Sequence, residues 1–302
     1  MTDQAEKLRN LVQSMKNKTK GKNKDELTEN DVITKENSAY VYTITSGKGG
    51  VGKSNFTANL ALGLRQEGKE VMVIDADLGM ANLDVILGVS PTYNLSHVIR
   101  GEKRLEEIIV DGPKGLALVP GGSGLEELAN LSSYQINNLI SCWNKIDQEF
   151  DIILIDTGAG LTNNVTKFVL AADEVIIIST PEPTSITDAY GVIKVIAKRD
   201  QEATIKLVVN QAENSNEGNK VADRLVKTAR DFLQLEIGLL GILPTDKAVT
   251  KSVRKRRPFF LEFPKSQVVK SINQIVAKLL DKEVKEKESG GIKGFFNKLL
   301  NF

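Results

Sequence analysis

The sequence is poor in the side chains that many enzyme chemistries and most secreted scaffolds depend on. Its 302 residues include one Cys, one His and one Trp. A lone Cys142 excludes an intrachain disulfide framework and any two-cysteine zinc or iron–sulfur site within one chain, which fits a reducing cytosol. A lone His97 argues against histidine-based zinc centres and Ser-His-Asp hydrolysis. No run of about 18 apolar residues occurs, and Met1 to Val12 is charged, without the apolar core of a signal peptide. A cytoplasmic protein with no spanning helix is expected. Charge of one sign is also lacking: 40 basic against 39 acidic residues leave +1, too little for a whole-body nucleic-acid coat.

What is present is enough for a large core, since 41% of the residues are hydrophobic. Periodicity divides the chain into a leader (1–39), a body (40–280) and a tail (281–302). In the leader, Leu8, Leu11, Val12 and Met15 have helical spacing. Every second residue from Lys16 to Lys24 is Lys, and acids dominate from Asp25 to Glu36, which reads as a solvated linker.

In the body, apolar runs mark strands at Val41–Thr45, Val71–Ile74, Leu116–Val119, Ile152–Ile155, Val175–Ile178, Lys206–Val209 and Glu236–Leu243. Most are continuous, as in strands covered on both faces. Helical patterns lie between several of them, at Ser54–Glu67, Leu125–Phe150, Thr162–Ala171, Ser185–Lys198 and Asn219–Phe232. This alternation predicts an α/β fold, a doubly wound and mostly parallel sheet with helices on both faces. Ligands then belong at the carboxyl ends of the strands.

Gly47-Lys48-Gly49-Gly50-Val51-Gly52-Lys53-Ser54 fits the phosphate-loop pattern and lies between a predicted strand and a predicted helix. Its glycines let successive N–H groups converge on phosphate oxygens, with the dipole of the following helix behind them. Lys53 reaches the outer phosphates and the Ser54 hydroxyl can bind Mg²⁺. Nucleotide hydrolysis further needs carboxylates that position metal and water. Ile152-Ile153-Leu154-Ile155-Asp156 is a Walker B pattern, so Asp156 is a metal candidate, followed by a flexible switch at Thr157-Gly158-Ala159-Gly160. Asp75 and Asp77 close an earlier strand, Val71–Ile74.

The tail pattern places Ile292, Phe295, Phe296, Leu299 and Leu300 on one helical face, flanked by Lys293 and Lys298, behind a Gly290-Gly291 pair. Burying five such side chains is worth about 7–15 kcal/mol before ordering costs. The same face suits a membrane surface or a groove on the body. From Lys251 to Arg257 there are five basic residues and no acid; a cluster this short reads as a solvated helix end, and DNA is not an expected partner.

The string Lys48-Gly49-Gly50-Val51-Gly52-Lys53, with its second lysine, resembles the deviant Walker A ATPases, the family of MinD, ParA and FlhG. Asp3-Gln4-Ala5-Glu6-Lys7-Leu8-Arg9 is similar to the N-terminal motif of the FlhG (YlxH-type) branch. The resemblance covers essentially the whole chain. It implies an ATPase using ATP/ADP and Mg²⁺, dimeric in its ATP state, with Lys48 reaching the nucleotide of the other subunit. It implies that Asp77 positions the attacking water, that Asp75 lies near the metal, and that Asn210 and Pro244 contact adenine. Residues Gly47 to Asn55 become the ATP loop. For the FlhG branch it implies residues 3–9 stimulating the SRP-type GTPase FlhF, contacts to flagellar basal-body components, and a peripheral place on the inner face of the cell membrane through the tail. Control of flagellar number or placement is the expected job; a MinD-type division-site regulator, a ParA-type DNA-partitioning ATPase and a nucleotide-locked scaffold are the alternatives. Ser54-Asn55, in place of the family's usual threonines, keeps the hydroxyl. Thr184 or Ser185, in Pro181-Glu182-Pro183-Thr184-Ser185, is expected to cap the helix that follows.

Overall fold

The computed structural model describes residues 38–77, 82–122, 143, 147–160, 162–283 and 290–301. The expected motif at residues 3–9, the leader up to residue 37, and residues 78–81 after Asp77 lie outside them. So does most of the helical pattern at Leu125–Phe150, of which Trp143 is helical and Asp147–Glu149 forms a 3₁₀ turn.

Eight strands form one sheet in the order β3-β4-β2-β5-β1-β6-β7-β8. They are β1 (Tyr40–Ser46), β2 (Val71–Ala76), β3 (Val110–Asp111), β4 (Ala117–Pro120), β5 (Ile152–Ala159), β6 (Glu174–Ser179), β7 (Ile205–Ala212) and β8 (Ile237–Pro244). All seven expected strands are present and pair in parallel; β3 is an unforeseen two-residue edge strand, antiparallel to β4. All six residues of β2 and all six of β6 are buried, so the unbroken apolar runs reflect helices on both faces.

One face is covered by α1 (Lys53–Gln66), α2 (Leu83–Leu87), α8 (Phe259–Glu262) and α9 (Gln267–Glu283), around Phe56, Leu60, Leu64, Phe260, Ile272 and Leu279. The other carries α4 (Asn163–Ala171), α5 (Pro183–Arg199), α6 (Ser215–Leu233) and α10 (Gly291–Asn301). Two shorter helices, α3 (Leu95–Ile99) and α7 (Lys247–Arg254), complete the set described. Side-chain caps set several starts: Thr162 accepts from Val165 N for α4, Asn214 from Glu217 N for α6 and Asp246 from Ala248 N for α7. No described helix is long and apolar enough to cross a membrane.

The tail behaves as part of the body. Helix α10 buries Ile292, Phe295, Phe296 and Leu299 in the cluster that holds Trp143, Phe168 and Ile153. Phe296 stacks on Trp143 at 4.9 Å between centroids, and Phe295 on Phe168 of α4 at 6.0 Å. The predicted amphipathic face is real, and in this conformation the body occupies it. Lys293 and Lys298 stay exposed on the opposite side, while the Leu300 side chain lies outside the description.

The basic run also has partners that local sequence did not reveal. Glu262, on α8, pairs with Lys255 and with Arg257 at 3.6 Å, and Lys255 lies over the Phe263 ring.

Candidate nucleotide site

Strand β1 delivers the chain into the loop at the carboxyl edge of the sheet. Two positions require glycine. At Gly47 a Cβ would fall 2.2 Å from the Asp188 backbone of α5, so loop and helix touch without side chains between them. Gly52 has φ 91°, and a Cβ there would meet the Asn210 amide at 2.5 Å. Gly52 is also the N-cap of α1 and makes no side-chain cap, so the first-turn amides receive no capping side chain at the place where phosphate oxygens are expected.

Lys53, Asp75, Asp77 and Asp156 converge below this loop. Strands β2 and β5 are neighbours, with Asp75 opposite Asp156 in register. Asp156 is 1% exposed; its Oδ1 is 3.0 Å from the Thr57 hydroxyl, whereas its Oδ2 has no hydrogen-bond partner. Burial pushes Asp156 up to about 6 against the opposing pull of Ser54, Lys53 and Thr57. Burial, with Asp156 as the next cause, pushes Asp75 up to about 7, although the Asp77 N–H donates to it at 3.1 Å. Desolvation lowers the Lys53 ammonium while Asp156 and Asp77 raise it. The excess of negative charge over Lys53, together with one buried carboxylate oxygen left unpartnered on Asp156, fits a hard dication.

The segment after Asp156 differs from the expected flexible switch. β5 continues through Thr157-Gly158-Ala159, pairing Ala159 with Ser46 of β1. Thr157 is fully buried and donates to Ile44 O at 3.0 Å, and Gly160 N donates to Ser46 O. The glycines suggested a loop, but main-chain pairing with β1 outweighs their low strand preference.

Lys48 points at none of these groups. Its Nζ donates to Glu182 Oε1 at 2.6 Å and to Thr184 Oγ1 at 3.0 Å, while Thr184 donates to the same Glu182 oxygen. The Lys48 ion pair lowers the Glu182 carboxyl. Capping here corrects the sequence reading: the N-cap of α5 is Glu182, with Pro183 at the first helical position and no side-chain cap bond. Ser185 is instead buried and accepts from Thr180 N at 3.0 Å, bracing the turn from inside. The partnership of Lys48 with Glu182 spans 134 residues and left no local sequence signal.

Beside the loop lies a cavity of about 370 Å³ lined by Gly50, Asn55, Asn210, Gln211, Pro244 and Thr245 among others. Asn210 and Pro244 are thus brought together as expected, and Asn210 Nδ2 also donates to Val51 O at 2.7 Å, tying β7 to the loop. Gln211, which sequence reasoning passed over, sits at φ 60° on the rim.

Comparison with known proteins follows this geometry. A family profile described as "AAA domain" matches residues 39–209. The chain is 39% identical to the flagellum site-determining protein YlxH of Helicobacter pylori, over 89% of this chain and 92% of that one. It is 38% identical to the antiactivator FleN of Pseudomonas aeruginosa, over 79% and 85%. Among solved structures, the septum site-determining protein MinD of Pyrococcus horikoshii complexed with Mg-ADP superposes with a TM-score of 0.64 at 26% identity, covering 84% of this chain and 98% of that one.

Proposed function

The chain belongs to the MinD-like ATPases of the FlhG (YlxH) type, and on that premise we propose that it is a nucleotide-driven switch that sets where, or how many, flagella are built. The observation that carries this reading is the convergence of Lys53, Asp75, Asp77 and Asp156 under one phosphate loop, with a second lysine, Lys48, directed away from them.

In the proposed cycle the α1 amides and Lys53 bind the phosphates, and the cavity beside Asn210 and Pro244 takes the base. Ser54, Asp75 and Asp156 hold Mg²⁺, which when bound offsets negative charge on the phosphate oxygens. Asp77 accepts a hydrogen bond from the attacking water and orients it. Lys48 leaves Glu182 and Thr184 and enters the site of a second subunit, so ATP promotes dimerisation.

The tail is the output toward the membrane. α4 begins at the Thr162 cap, two residues beyond Gly160, and its Phe168 forms part of the wall against which α10 rests. A nucleotide-dependent shift at the end of β5 is therefore passed through α4 to the groove, freeing Ile292, Phe295, Phe296 and Leu299, which with Leu300 form the lipid-binding face. Two released tails on one dimer bind far more tightly than one. Residues 3–9 stimulate an FlhF-like GTPase, and the dimer engages flagellar basal-body components.

The test uses full-length protein and a deletion of residues 1–15, each mixed with a purified FlhF-like GTPase while GTP turnover is followed. Stimulation by the full chain alone supports the assignment. Equal stimulation by the deletion sinks the role of the N-terminal motif. The names of the two relatives, an antiactivator and a flagellum site-determining protein, direct the choice of flagellar rather than septal partners in the binding assays.

A further inference from the structure

Thr57 lies one turn along α1 from Lys53 and is fully buried. Its hydroxyl is 3.0 Å from the Lys53 carbonyl and equally 3.0 Å from Asp156 Oδ1. A hydroxyl has a single proton to give, so only one of these oxygens receives it at a time. A carboxylate is the stronger acceptor, since bonds to a charged oxygen are roughly twice as strong as neutral ones. Asp156 therefore takes the proton.

The two oxygens of Asp156 are then unequal. Oδ1 is tied to α1 by Thr57, and Oδ2 is buried with no hydrogen-bond partner. Ser54 is itself a metal candidate, so its oxygen has a second task. Thr57 makes no contact that would draw it toward a phosphate or a cation, and its i+4 spacing from Lys53 places it behind the site.

We propose that Thr57 is a positioning residue that fixes the rotation of the Asp156 carboxylate, presenting Oδ2 to the Mg²⁺ site. The proposal rests on the reading of Asp156 as a metal-holding residue. It also accounts for a buried β-branched hydroxyl in the second turn of α1, where an apolar residue would be easier to bury and would offer Asp156 nothing.

The experiment measures binding of a fluorescent ADP to the full-length chain as Mg²⁺ is titrated from zero. Thr57→Val keeps the shape and removes the donor; Thr57→Ser restores it. For Thr57→Val the expected result is nucleotide binding without Mg²⁺ within about twofold of wild type, but roughly tenfold more Mg²⁺ needed for the half-maximal effect, in line with losses seen when an outer-shell partner of a metal ligand is removed. Thr57→Ser should return to within about threefold of wild type on the same scale. If Thr57→Val does not fold, Thr57→Ala carries the same expectation. A wild-type Mg²⁺ dependence in the Val or Ala variant overturns the proposal, as does an equal loss of binding with and without Mg²⁺, or a Ser variant as impaired as Val. Asp156→Asn separates the two levels. If it too leaves Mg²⁺ dependence unchanged, the reading of Asp156 falls and the role of Thr57 falls with it. If Asp156→Asn is impaired while Thr57→Val is not, only Thr57 is wrong.

Discussion

Phe168→Ala should uncouple tail from body. Phe168 stands on the groove side, stacked on Phe295 of α10 at 6.0 Å, and is 3% exposed. Removing a buried phenyl ring leaves a cavity and costs about 3–5 kcal/mol. Part of that loss falls on the contact between α4 and the sheet, but if even about 1.4 kcal/mol falls on docking, the docked population relative to the released one drops tenfold. The tail itself is untouched, so its affinity for a lipid surface is unchanged and the balance shifts toward release. Trp143, the chain's one tryptophan, stacks on Phe296 and is fully buried, which supplies an internal reporter. In the nucleotide-free protein, Phe168→Ala should move Trp143 emission to longer wavelength and admit a collisional quencher, and liposome flotation should occur without ATP. Deleting residues 292–302 should give the same emission and no flotation. A folded Phe168→Ala protein with Trp143 still shielded and lipid binding still dependent on ATP would refute the coupling.

Three further outcomes can be measured. Lys48→Ala should keep its fold and lose the ATP-dependent dimer on a sizing column; a dimer of wild-type proportion rejects the trans role. Asp77→Ala should bind ATP normally and lose phosphate release by at least about a hundredfold, in the range expected for a water-orienting group, and turnover at the wild-type rate contradicts it. The pH profile of nucleotide-free stability follows from Asp75 and Asp156, which hold protons up to about 7 and about 6 in the folded chain against an ordinary value of 3.8. The folded state thus binds more protons than the unfolded one between about pH 4 and pH 7, so stability should fall as pH rises through that window. Thermal melting at about pH 5.5 should exceed that at about pH 8, and Asp75→Asn should flatten the slope; a rise in Tm with pH in the wild type has the wrong sign.

The parts of this site that were legible in the sequence are those held by contiguous pattern. Gly47 to Ser54 announces its own backbone geometry, and Asp75 and Asp156 each terminate an apolar run, so strand ends and carboxylates could be located together. Their pairing across β2 and β5 could not, since register is a property of the assembled sheet. Thr157 to Ala159 looked like loop because local preference was read without the neighbouring β1 main chain. The tail is the instructive case. Hydrophobic spacing gave Ile292, Phe295, Phe296 and Leu299 one face, but periodicity describes only one side of a contact, and the other side is Trp143 and Phe168. Glu182 carries no expected role in the sequence, because nothing near it announces Lys48.

The contact between Gly47 and Asp188 has a mechanical consequence. Helix α5 has 17 residues, a rod of about 25 Å at 1.5 Å per residue. Asp188, in its second turn, rests against the backbone of the phosphate loop, so a tilt of about 5° about that contact swings the far end by about 1.4 Å. Lys198 and Arg199 sit at that far end. A tilt imposed from the pocket at one edge of the sheet would thus appear as a displaced pair of charges on the opposite edge, where a partner could meet it without approaching the nucleotide.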